Sequence, residues 1–233
     1  MIRLPVLRLM NNQFWLPGES KIDLMAARLD DLREKIASQE PLPLAESTGT
    51  NFYQLEPGIG EFHFSLWEQE VVLSFPELVP FDRHTRDQVS RISTALVLYY
   101  FLTCDGTQPS GRWVSFSELP DGRFYNQAFQ GYTGGQLASV FQNNFEQFCL
   151  SAQNLGGKRV YLLGDAAYEY NVLPMVNLLV VTWQGDDEFN ATYQVLFDSA
   201  ISHHLPTDAG AIIASMLSRR LIAELEKLNE NRN

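Results

Sequence analysis

Four short apolar segments, residues 160–163, 168–172, 176–183 and 191–197, follow one another with no helical periodicity between them. Three more, 52–55, 61–67 and 70–75, form an earlier run in which Phe62, Phe64 and Leu66 alternate with His63, Ser65 and Trp67. A parallel pair needs a crossover of a dozen or more residues, usually a helix, whereas antiparallel neighbours need only a tight turn. Strands in adjacent runs therefore predict an α+β chain, a mostly antiparallel sheet packed by several helices, and exclude a doubly wound parallel fold. The two-residue link Glu68-Gln69 and the polar stretch 184–190 each predict a hairpin.

Helices fill the intervals. Ile22, Met25, Leu29, Leu32 and Ile36 recur every three or four residues behind Ser20, a helix period that Pro41 and Pro43 end. A helical turn over 44–48 follows, closed by Gly49. Residues 85–104 predict a helix apolar on nearly every side of its second half, which places it in the interior. Thr133-Gly134-Gly135-Gln136 has the spacing of a capping box and opens a predicted helical region to about residue 155. Asp198 and Thr207 predict caps for a short and a long terminal helix. With no repeat and no long linker, residues 20–233 read as one domain, preceded by an extension over 1–19.

At 233 residues, with 45% hydrophobic side chains, there is enough apolar surface for a substantial core. The longest apolar run, 95–102, is far shorter than the ~20 residues of a membrane helix, and no secretory signal is recognisable. A cytoplasmic location is the expectation. Two cysteines, Cys104 and Cys149, exclude a disulfide scaffold and a four-cysteine cluster, and both read as small buried hydrophobes. A net charge of −11 has the wrong sign for coating nucleic acid.

That charge is unevenly placed. No Lys or Arg occurs from 36 to 82, which holds eight acids, nor from 160 to 218, which holds seven. If the two stretches meet around a recess, their field favours a cation or a basic partner. Asp186, Glu188, Asp198 and His203 are the candidate metal ligands, because carboxylates with a histidine suit hard or borderline cations. A polar turn explains 185–189 better than a metal site does, since neighbouring strand residues face opposite ways and acids favour turns. His203-His204 also fits a helix C-terminus. Trp113, Glu118, Phe124, Tyr125 and Trp183 are the candidate ligand-binding residues, combining apolar surface with one acid.

Residues 111–120, beginning Gly111-Arg112-Trp113-Val114, then Gly122-Arg123-Phe124-Tyr125 and Ala128-Phe129, resemble the centre of a prokaryotic family, the domain of unknown function 3786. Gly164-Asp165, Leu173-Pro174, Trp183 with Gly185-Asp186-Asp187-Glu188-Phe189, and Leu196-Phe197-Asp198 resemble it too. The resemblance runs from about residue 22 onward and carries no established activity. It implies a setting in anaerobes near corrinoid or one-carbon metabolism, where some relatives carry a four-cysteine iron–sulfur module that this chain lacks.

Three functions follow as expectations. The first is a non-catalytic binding or accessory module, taking a small ligand or a protein partner where 113–118 approaches 183–198; its corrinoid version rests on the resemblance. The second is a metal-dependent hydrolase whose ion activates water. The third is a structural subunit docking a basic protein through an acidic face. No membrane and no nucleic-acid partner is expected; whether the chain is an enzyme, which cofactor it holds and its oligomeric state stay open.

Overall fold

The computed structural model of the chain describes residues 19–161 and 163–230, with the helical backbone alone over 19–27. Residues 1–18, most of the expected extension, lie outside the described residues. The fold is α+β with two antiparallel sheets. The first contains β1 (Asn51–Glu56), β2 (Ile59–Leu66), β3 (Gln69–Phe75) and β4 (Pro80–Asp82) in sequence order. The second has the order β5-β9-β8-β7-β6, from β5 (Trp113–Val114), β6 (Lys158–Val160), β7 (Ala166–Leu173), β8 (Val176–Trp183) and β9 (Thr192–Asp198).

Alternation puts Phe62, Phe64 and Leu66 on the inner face of the first sheet. Phe101 of α3 (Arg91–Thr103) packs there, its ring 5.0 Å from Phe62 and 5.7 Å from Phe64. Beside α3 lies α1 (Glu19–Ala37), burying the expected Leu29, Leu32 and Ile36. On the second sheet, Val176, Leu178 and Val180 of β8 and Tyr193, Val195 and Phe197 of β9 point inward. They meet Phe129 of α4 (Gly122–Tyr132), Phe141 of α5 (Gly134–Phe141), Phe148 of α6 (Phe145–Asn154), and Leu217 and Leu221 of α7 (Thr207–Glu230). Each such side chain stabilises the fold by about 1.5–3 kcal/mol through burial.

One core runs through both halves. The hairpin turn after β2 sends the Trp67 N–H to the Val172 carbonyl of β7 at 2.8 Å. The Tyr100 hydroxyl of α3 donates to the Thr48 carbonyl at 2.6 Å and accepts the Met175 N–H at 3.2 Å. Thr48 ends α2 (Pro41–Thr48), and Gly49 closes that helix at φ +60°, a conformation glycine adopts without strain. Burial holds the Tyr100 hydroxyl far above its ordinary pKa, so it stays a neutral donor and acceptor in the middle of the molecule.

Several boundaries differ from the sequence expectation. Helix α2 starts at Pro41, using the proline as a first-turn residue. The helix expected from residue 85 starts at 91, capped by Ser90, because Asp82 Oδ1 instead takes the His84 and Thr85 N–H groups. The helical region expected over 133–155 is two helices broken at Gln142, and α4 precedes it. Thr133 forms no capping box; its hydroxyl donates to the Phe129 carbonyl. The capping box of this stretch lies earlier, between Ser115 and Glu118.

Candidate functional site

Strand β9 has two very different ends. At the first, Asp198 is only 2% exposed, and its carboxylate gathers the loop leading into β5. Oδ1 accepts from Ser110 N–H at 2.9 Å, Ser110 Oγ at 3.0 Å and Ala200 N–H at 2.9 Å; Oδ2 accepts from Gly111 N–H at 2.6 Å. Four donors satisfy a charge that has no cationic partner among the described residues, leaving it fixed as a loop clamp.

Beside this clamp the C-terminus of α3 meets the 3-10 turn Ile201–His203. Cys104 Sγ lies 3.3 Å from His204 Nδ1 and 3.0 Å from the Ser47 carbonyl oxygen. Burial pushes the thiol above its ordinary pKa and the imidazole below its own, so both groups are neutral near pH 7. Among the described residues His204 Nε2 is buried without a hydrogen-bond partner. One layer further out, exposed His203 Nδ1 pairs with Asp105 Oδ2 at 2.8 Å. That pairing, with the Thr107 groups, holds the Asp105 carboxyl far below its ordinary value.

The other end of the second sheet is open. Trp183 ends β8, and residues 184–191 lead into β9. Asp186 Oδ1 accepts the Glu188 and Phe189 N–H groups, and its own N–H reaches the Phe189 carbonyl, which makes 186–189 the polar turn its composition allows. Those two N–H groups hold its carboxyl below the ordinary range. Asp165 sits alongside, its N–H on the Thr182 carbonyl and its Oδ2 accepting Gln184 N–H at 2.7 Å. Tyr161 and Phe189, 85% and 69% exposed, flank this end together with partly exposed Trp183. Asp165, Asp186, Asp187 and Glu188 make no ion pair among the described residues.

The predicted site residues are therefore dispersed. Trp113 pairs with Asp198 and Trp183 with Thr192, so the two tryptophans stand about 20 Å apart along β9, at ~3.4 Å per residue. Trp113 packs against the outer-face cluster around Leu179 and Val181. Glu118 and Phe124 line a separate depression of about 320 Å³ with Ser117, Leu119, Asp121 and Arg123. Glu118 itself is committed to Ser115 N–H and Oγ, both at 2.8 Å, and Tyr125 packs partly into the core. The proposed metal set divides likewise: Asp186 and Glu188 are at the open end, Asp198 and His203 at the clamped one. Among the described residues no three His, Cys, Asp or Glu side chains come together to hold a metal ion.

Nor are the acids of the cation-poor stretches all left unmatched. Glu61, Glu68 and Glu70 reach Arg86, Arg220 and Arg83, all just outside those stretches, at 3.5, 2.6 and 2.8 Å. The sequence offered no signal for the Cys104–His204 pair, whose members are 100 residues apart. Tyr161 was not singled out either, and Phe189 only as the last residue of a motif, because their exposure is a property of the fold.

Fold and surfaces together define a class: a single-domain α+β protein of two antiparallel sheets, clamped at one end of its second sheet and open at the other. Within that class the chain belongs to the family described as Domain of unknown function (DUF3786), which it matches over residues 40–220. No curated protein and no solved structure is detectably similar to it. Among the described residues no helix is long and apolar enough to cross a membrane.

Proposed function

We propose that the chain is a binding module that takes a positively charged protein partner at the open end of its second sheet. One observation carries this reading. Trp183 and Phe189 are exposed at the same end of the sheet as four carboxylates that make no ion pair among the described residues, beside Tyr161, whose ring already carries Arg159 at 5.7 Å. Aromatic faces attract Lys and Arg side chains by roughly 0.5–1 kcal/mol at exposed sites, and adjacent carboxylates orient the same cations. The binding module and the basic-partner subunit expected from the sequence thereby become one surface. The hydrolase reading lacks a meeting point, since its four ligands occupy opposite ends of β9. A partner from corrinoid or one-carbon metabolism, as the family resemblance implies, is the first to try.

Fluorescence anisotropy with a labelled Lys/Arg-rich peptide tests the reading. Binding is expected to weaken as salt rises and to fall at least tenfold in Trp183→Ala/Phe189→Ala, with melting unchanged. Equal affinity in the double variant, or equal binding of a Glu-rich peptide, overturns it.

A further inference from the structure

The sheets have four edges, and three are defended. Edge strand β4 begins with a proline and is covered by the turn after it, through the Phe81–Gln88 bridge and the bonds Asp82 N–H to Asp87 O and Val89 N–H to Pro80 O. Edge strand β5 is two residues long, and β6 is three with Lys158 and Arg159 among them. These are the usual devices by which proteins prevent unwanted strand pairing. Strand β1 uses little of this. Its six residues, Asn51–Glu56, contain no Lys, Arg or Pro, and its register is regular from Asn51 to Gln54 before shifting at Glu56.

Among the described residues no backbone group bonds to the far side of β1. Five of its six residues are exposed. Tyr53 and Leu55 (62% exposed) stand out from it, with Ile59 across the hairpin and Leu42 on the helix packed behind. Three of these large exposed apolar side chains, Tyr53, Leu55 and Ile59, thus lie on the hairpin that carries the bare edge.

We propose that β1 accepts an extended segment of another protein as an added strand, a segment carrying both apolar and Lys or Arg side chains. Main-chain bonds to the bare edge supply the affinity in this mode, and alternate side chains supply the selection. Charge picks the occupant. Glu56 ends the strand and makes no ion pair among the described residues, and no Lys or Arg occurs in the sequence from 36 to 82. A second copy, bringing another −11 and no complementary cation at this strand, is disfavoured by the same field. The surface is separate from the open end of the second sheet, so either reading stands without the other.

A fluorescein-labelled ten-residue peptide alternating valine and lysine is the probe, with anisotropy and amide hydrogen exchange as readouts. Binding is expected to slow exchange within residues 51–56 and to weaken at least tenfold in Glu56→Lys and in Leu55→Lys. Asp187→Lys/Glu188→Lys at the other surface is expected to leave that protection intact. The same peptide with alternate backbone nitrogens methylated keeps every side chain but loses one hydrogen-bonding edge, and is expected to lose binding. Equal binding of the methylated peptide, protection elsewhere than β1, or no binding at millimolar peptide overturns the proposal. So does a concentration-dependent dimer that protects β1 without peptide.

Discussion

The two ends of β9 carry the same kind of residue and put it to opposite uses. At one, Asp198 is enclosed by four donors and fastens the loop 105–112 to the turn after β9. At the other, Asp186 uses two backbone N–H groups to shape its own turn, leaving its neighbours Asp187 and Glu188 facing water. A carboxylate surrounded by donors in the interior is a structural group, because any other ligand must displace bonds already made. One at an exposed turn remains available. The difference lies in burial and in the supply of donors, neither of which residue type reveals.

This contrast breaks most readily at Asp198. Asp198→Ala strands three N–H groups, the Ser110 hydroxyl keeping Ser199 Oγ as a partner, so it is expected to cost about 3 kcal/mol or more in urea unfolding. A cost below ~1 kcal/mol, within the range of ordinary surface changes, removes the distinction between the ends. Next comes Tyr100→Phe, which takes a partner from the Thr48 carbonyl and the Met175 N–H where the halves join. About 1–2 kcal/mol is expected, read by the same denaturation curve.

Acid sharpens the comparison further. Burial lowers the folded His204 pKa below its ordinary value near 6.5, so the unfolded chain binds that proton first as pH falls. Stability from this histidine is complete above pH ~6.5 and is lost progressively below it. Melting temperature is expected to drop from pH 7 to 5, and less steeply in His204→Gln. Asp82, held down to about 2 by the Thr85 N–H, Gln69 and His84 N–H, acts in a lower window, with stability present above pH ~4 and lost toward 2. A pH 7-to-5 slope unchanged in the histidine variant removes the buried pair from the account. The smallest effect is expected at the open end: Asp186→Asn keeps an oxygen for both N–H groups and should leave the melting temperature unmoved.

Much of the fold was legible in the chain. The alternation of Phe62, Phe64 and Leu66 and the heptad-like spacing of Leu29, Leu32 and Ile36 each mark a face that must be buried, whatever covers it. Boundaries were less legible where a side chain far from the pattern took the backbone's hydrogen bonds. Asp82 ended a helix that periodicity would have extended to residue 85, and the positive φ of Gln142 broke one that reads as continuous. Strand β4 is too short to show alternation. At the candidate site the residues named from the sequence are not grouped by the fold. Proximity in a motif placed Trp113 with Trp183, and Asp186 with Asp198, while a seven-residue strand holds them apart.

The sequence alone determined the class of secondary structure, the antiparallel pairing, the inward faces and the excess of acid, because periodicity, turn length and charge are local or additive properties. Tertiary structure alone decided which acids are clamped and which stay free, that Cys104 finds His204, and that β1 is left bare. Those outcomes depend on which donors, rings and strands distant segments deliver to the same place, and no spacing along the chain encodes that meeting.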